Sequence, residues 1–318
     1  MIGELFGING KQLAVQYKEY ISGFRQWSQL SHAQDFVLFK ENIGSHLSMD
    51  ETCLSRGELY TIITNKDAKG KKGALVAMIK GTSSDVVSEC LKQISTHIRL
   101  RVKEITIDLS PSMKLICKQS FPSATIVSDR FHVQKLMNEA VSDVRIKHRW
   151  DSIDKENEDI KLAKATGRTY KPKTYENGDT VRQLLARSRH SVMMHFSKWT
   201  HAQSKRAEIL FREFPDIHKA YKVSMKLTEI YNTTKCKMMA LTKLAHWYEE
   251  VEQLDNKIFN SVINTMQNNY ASIVNYFDNR STNASAESFN AKVKAFRSQF
   301  RGVRDIPFFI FRLTKIFA

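Results

Sequence analysis

No stretch of about 18 consecutive apolar residues occurs in the chain, which argues against a membrane-spanning helix. The opening MIGELFGING lacks the basic segment and apolar core of a secretory leader. The expectation is a cytoplasmic protein. Cysteine is scarce, and Cys53, Cys90, Cys117 and Cys236 lie too far apart for CxxC pairs, so neither a zinc knuckle nor a disulfide framework is indicated. Internal repeats and low-complexity tracts are missing as well. Acidic residues are the minority charge: 33 Asp and Glu against 49 Lys and Arg leave a formal net charge of +16. A field of that sign attracts polyanions, nucleic acid foremost. With 42% hydrophobic and 10% aromatic residues, the chain is too apolar to be disordered as a whole. A length of 318 residues accommodates one elaborated domain or two.

The periodicities predict an α/β protein. Residues 1–44 read as short helices, either a remnant of a DNA-binding module or an arm packed on the main domain. From residue 45 to 130 the texture changes to short β-type runs, SHLSMDETCL, GELYTIITN, KGALVAMIKG, VKEITIDLS and ATIVSDRF. Tight turns join the first three, which favours an antiparallel meander. SDVVSECLKQISTHI and PSMKLICKQSF have helical spacing and separate the later strands, so the sheet should be mixed. Residues 131–277 are almost wholly helical in pattern, interrupted by the charged segment 154–179, which reads as a mobile loop. The broad apolar stripe of 258–277 predicts one buried helix. After DNRSTNAS a last helix restarts, with Ser285 as candidate N-cap.

Three acids close apolar strand patterns: Asp50 in SHLSMDE, Asp108 in EITIDLS and Asp129 in TIVSDRF. Ligands of open α/β sheets bind at that carboxyl edge. Alternation that buries Ile105 and Ile107 on one face sends Thr106 and Asp108 to the other. For any one of these acids an ordinary turn or cap role is the simpler reading. Two carboxylates on adjacent strands without a basic neighbour would repel unless a cation held them, and oxygen-only donors point to magnesium or manganese. Glu287, in NASAESFNAK, lies on the helix flank away from the stripe Phe289, Val293, Phe296 and Phe300, in line with Asn290, Ala291 and Lys294. It is either a solvated first-turn glutamate or a partner of the strand acids.

The order of these blocks resembles the RNase H-like DDE transposases. IDLSPSMK, IVSDRFHVQKLMNEAVSDVR and STNASAESFNAKVKAFRSQFRGVRD are similar in particular to the insertion-sequence transposases of the ISL-three lineage, over roughly residues 44–318. The resemblance implies an RNase H-like mixed sheet with helices on both faces, interrupted by a large all-helical insertion. The segments would be 1–44, an N-terminal helical part; 45–149, the first part of the core; 150–278, the insertion; and 279–318, the returning helix with the catalytic glutamate. It further implies Asp50, Asp108 and Glu287 as catalytic, metal-binding residues. Asp129, Arg130 and His132 match a family signature, with Asp129 a candidate supporter of the metal site. The family's N-terminal zinc-binding and helix-turn-helix region has no counterpart here, so an upstream-encoded DNA-binding part is a candidate partner.

What the resemblance implies chemically is in-line phosphoryl transfer at transposon ends and into target DNA, assisted by a pair of Mg2+ or Mn2+ ions. A homodimer or higher oligomer assembled on the terminal inverted repeats would carry it out, in the nucleoid of a bacterial cytoplasm. Lys294, seven residues beyond Glu287, suits a phosphate contact, and Arg297, Arg301 and Arg304 extend the basic stretch. Lys147 and Arg149, with the lysines of 161–173, form a second candidate DNA surface. Trp150 beside them reads as a core residue. His132, His190 and His195 fit no ligand spacing and read as structural. The alternatives are a noncatalytic DNA-binding protein, truncated or recruited for regulation, and a structure-selective nuclease on the same fold.

Overall fold

The computed structural model describes residues 6–55, 57–299 and 303–318. They divide into two compact units, the first running to Asp129 and resuming at Ser281, the second comprising Arg130–Arg280. The boundary expected at 149/150 falls inside one continuous helix of the second unit.

The first unit is built on six strands: β1 Phe36–Leu38, β2 His46–Ser55, β3 Glu58–Asn65, β4 Leu75–Lys80, β5 Glu104–Ile107 and β6 Thr125–Ser128. Their order is β1-β4-β3-β2-β5-β6. The meander β2-β3-β4 is antiparallel, whereas β5 joins β2, and β6 joins β5, in parallel. This mixed sheet matches the expected RNase H-like arrangement. Lys69 and Gly70 both take left-handed φ between β3 and β4, the conformation such a turn requires. β1 was not foreseen in the sequence: three residues are too few for a period to show.

Helices cover both faces. On one, α2 (Ser84–Lys92), α3 (Thr96–Arg99) and α4 (Pro111–Ser120) form the crossovers. Val87, Leu91, Met113 and Ile116 from α2 and α4 join Leu47, Met49, Ile105 and Ile107 in a common core. Buried Arg99 donates to the carbonyls of Ile94 and Ser120, satisfying backbone acceptors after α2 and at the end of α4. On the other face, α12 (Ala284–Gln299) and α13 (Ile306–Phe317) lay Phe289, Val293, Phe309 and Leu313 over Leu54, Tyr60, Ile62 and Met78. The N-terminal segment contains α1 (Gly10–Gln16), which buries nothing. Beyond it, Phe24 and Trp27 set their rings against Phe311, and Lys18 pairs with Asp305, so this stretch is an arm packed on α13.

The second unit is helical: α5 Arg130–Ala165, α6 Val181–Arg187, α7 His201–Glu213, α8 Pro215–Thr233, α9 Lys237–Glu252, α10 Lys257–Asn268 and α11 Tyr270–Asn279. Two expectations are corrected here. Residues 154–165, read as loop, complete the 36-residue α5. Their sequence, DKENEDIKLAKA, is polar nearly all round, so a helix lying on the surface leaves no apolar stripe to read. The irregular remainder is pinned by buried Asp179, which pairs with Arg187 and Arg206. The single helix expected over 258–277 is α10 followed by α11, parted at Asn269, whose side-chain amide turns back to the Thr265 carbonyl at 2.9 Å.

Candidate active site

β2 outlasts its parallel neighbour. Its pairing with β5 is recorded from His46↔Glu104 to Ser48↔Thr106, while its pairing with β3 continues to Ser55↔Glu58. Asp50 therefore stands in mid-strand, not at the strand end as expected, but just past the point where β5 departs. Continuing that register by two residues sets Asp50 level with Asp108, which directly follows β5. Continuing Ile107↔Ser128 by one sets Asp108 level with Asp129, whose N–H donates to the Ile107 carbonyl at 2.8 Å. The alternation places all three side chains on one parity, the face that α12 covers.

α12 takes the place that β5 leaves. The Ser45 carbonyl accepts from Lys103 and Glu104, so carbonyls of this parity on β2 point toward the β5 side. Beyond Ser48 the next of them meet side chains spaced seven apart, the first on the residue before α12 and the others on the helix itself. Asn283 Nδ2 donates to the Met49 carbonyl at 3.3 Å, Asn290 Nδ2 reaches the Glu51 carbonyl at 3.5 Å, and Arg297 donates to the Cys53 carbonyl at 3.3 Å. Seven helical residues rise about 10.5 Å and two strand residues roughly 6.8 Å, so the helix follows the strand obliquely. Lys292 fixes another point by donating to the Gly70 carbonyl at 2.8 Å.

This ladder locates Glu287. Four residues after Asn283 and three before Asn290, it lies between two side chains anchored beside Asp50. Its backbone N–H donates to the Asn283 carbonyl, so the helix starts two residues earlier than an N-cap at Ser285 would have it. Glu287 itself is exposed on the flank of α12. The opposite flank carries Phe289 and Val293 into the core against the same sheet.

Asp129 is buried and its Oδ1 accepts the backbone N–H of Asn283 at 3.1 Å, tying the residue before α12 to the end of β6. Asp50 Oδ1 accepts the Glu51 N–H at 2.8 Å, and Oδ2 accepts from Asn290 at 2.5 Å. Two charged neighbours went unnoticed in the sequence. Burial, and then the negative charge of Asp108, push the Glu51 carboxyl up from its ordinary value. Lys66 donates to Thr106 at 2.8 Å and lies 3.6 Å from buried Glu104. Burial lowers its pKa despite the opposing pull of Glu104 and Asp129. The adjacent DE pair was the available signal for Glu51; Lys66, far from the acids in sequence, offered none.

Of the expected DNA-contacting residues, Lys294 and Arg304 are exposed, Arg297 is half-buried on the ladder, and Arg301 lies outside the described residues. In the helical unit Lys147 is exposed and Arg149 half-buried on α5. Trp150 corrects its expectation: at 60% exposure it belongs to the surface, not to a core. Arg130 donates to Asn232 at 2.6 Å and Arg280 to the carbonyls of Tyr231 and Thr234, so the first and last residues of this unit both hold the end of α8.

The donors at the sheet edge suit a hard divalent ion, being carboxylates on neighbouring strands with amide oxygens beside them. Among the described residues no three His, Cys, Asp or Glu side chains converge closely enough to hold a metal, and Glu287 is exposed on the flank of α12. A mixed sheet of this order, with acids on its central strands and a returning acid-bearing helix, defines an RNase H-like fold. The chain belongs to the DDE transposase family of the ISL-three lineage, whose model, described as transposase, matches residues 47–313. No curated protein and no solved structure matches it. Membership implies DNA as partner. Among the described residues no helix is long and apolar enough to cross a membrane.

Proposed function

We propose that the chain is an active transposase whose Asp50, Asp108 and Glu287 carry DNA strand cleavage and strand transfer. The supporting observation is the ladder from α12 to β2, which seats the Glu287 helix against the stretch of strand that carries Asp50. Asp50 and Asp108 would hold Mg2+ or Mn2+, with Glu287 swinging in from the helix flank to complete a two-ion site. Such ions activate an attacking oxygen and neutralise charge on the leaving one.

In the first step water forms the new bond to phosphorus and the bond to the 3′ oxygen breaks, leaving a 3′ hydroxyl on the element end and a 5′ phosphate on the flank. In the second that hydroxyl attacks a target phosphodiester, exchanging one ester for another without ATP. Lys294, two turns past Glu287, places a cation for the phosphate beside the scissile bond, and Arg304 adds to that surface. Lys147, Arg149 and Trp150 form a further DNA-facing patch on α5. Arg297 serves differently from expectation, as a rung of the ladder. Assembly on paired terminal repeats, as a dimer or larger, supplies the two ends.

Substituting Asp50, Asp108 or Glu287 by Ala tests this on a duplex carrying the element's terminal repeats. Each variant should bind the duplex as the unaltered chain does and fail to cut it. Retained cutting in all three removes the proposal. Cutting of branched DNA without joining would instead indicate a nuclease, and binding without cutting by the unaltered chain a noncatalytic DNA-binding protein.

A further inference from the structure

We infer that Asn290 is a positioning residue that sets the Asp50 carboxylate for a divalent cation and couples it to Glu287. This rests on the reading of Asp50 as an ion-binding acid. Asn290 is 7% exposed and sits one helical turn beyond Glu287 on α12. Its Nδ2 is 2.5 Å from Asp50 Oδ2 and 3.5 Å from the Glu51 carbonyl. Two acceptors facing one atom fix the amide's orientation, because the side-chain oxygen has no hydrogen to offer them. The second carboxylate oxygen, Asp50 Oδ1, is held by the Glu51 N–H. A carboxylate bound by a donor at each oxygen cannot turn about its terminal torsion, so the direction of its two oxygens is set.

The other end of the amide carries the second observation. Asn290 Oδ1 is buried and accepts no hydrogen bond from any described residue. An acceptor left so is costly, and beside a carboxylate the group best suited to complete it is a hard cation or water bound to one. Asn283, seven residues earlier, repeats the arrangement, with Nδ2 on a β2 carbonyl and Oδ1 buried without a described donor. Because Asn290 belongs to the Glu287 helix, cation binding at Asp50 is felt by α12 through a single amide.

The test uses the full chain and Mn2+ alone, measured by calorimetry. Asn290→Leu keeps the branched heavy-atom outline of the side chain without a donor, and Asn290→Ala removes the group. Both should bind Mn2+ at least tenfold more weakly, the loss typical when a residue orienting a ligand is removed, with the Leu variant melting close to the unaltered chain. In protein labelled with 15N-asparagine, the Asn290 side-chain amide resonance should move on adding Mg2+, and stay fixed in Asp50→Ala. An Asn290 amide that does not hold Asp50 would show no such Asp50-dependent shift, so this arm tests the coupling even if both variants unfold, and the affinity of the folded Leu variant tests the positioning. Undiminished Mn2+ affinity in the variants, or an amide that Mg2+ leaves unmoved, overturns the inference while Asp50-dependent binding preserves the underlying reading. Mn2+ binding that Asp50→Ala does not change removes both.

Discussion

Asp129 offers a graded test of how the acid-bearing helix is held. Its Oδ1 receives the Asn283 N–H at 3.1 Å, and Asp129 is only 2% exposed. A hydrogen bond to a charged group contributes about 1.5–3 kcal/mol. If Asp129→Ala spends all of that in loosening the start of α12, strand cleavage should fall roughly ten- to hundredfold, since about 1.4 kcal/mol is a factor of ten. Asp129→Asn keeps an acceptor oxygen and loses the charge, so cleavage should fall only several-fold. The assay is single-turnover cleavage of a terminal-repeat duplex, with duplex binding measured alongside. The reasoning is refuted if Asp129→Ala cuts at the unaltered rate, or if Asp129→Asn is as inert as Asp50→Ala, which would make Asp129 a member of the reacting set.

Further outcomes are expected at three residues. Lys66→Met removes the cation beside buried Glu104, but burial already disfavours that cation, so the melting temperature should fall by no more than a few degrees, with Glu104→Gln in the same chain recovering the loss. Because folding depresses the Lys66 pKa, the unfolded chain binds more protons between that depressed value and 10.5, so stability should rise with pH through this window and Lys66→Met should abolish that rise. At Asp179 burial favours the neutral form, yet hydrogen bonds from Arg206 and Arg187 outweigh it and hold the carboxyl below its ordinary value. Its stabilisation is present above the unfolded pKa and lost as pH falls through the depressed one, so acid unfolding of the helical unit, followed by circular dichroism, should begin at higher pH in Asp179→Asn. Trp150→Ala should weaken DNA binding several-fold without changing the melting temperature, because the ring is exposed.

The strand pattern was legible because β2 to β6 carry apolar runs punctuated by turns; Asp108 and Asp129 directly follow their strands, whereas Asp50 lies within a β2 that continues to Ser55. The helical unit was legible as helix, but its borders were not. Polar residues 154–165 hid the end of α5, and a continuous stripe hid the break at Asn269. Glu287 could be chosen by its place in a family-like block, whereas the residues that seat it could not. Asn283, Asn290 and Arg297 owe their roles to carbonyls exposed where β5 stops, a consequence of unequal strand lengths that no local pattern records. Lys66 is similarly silent, since its partners Thr106 and Glu104 lie on a strand some forty residues away.

Diffraction at the manganese absorption edge from crystals grown with Mn2+ addresses the proposed chemistry most directly. The expected result is an anomalous peak shared by Asp50 and Asp108, with the Glu287 carboxylate drawn from the flank of α12 toward it. Manganese bound elsewhere, or an edge left bare with Glu287 still facing solvent while the protein cuts DNA, would contradict the account.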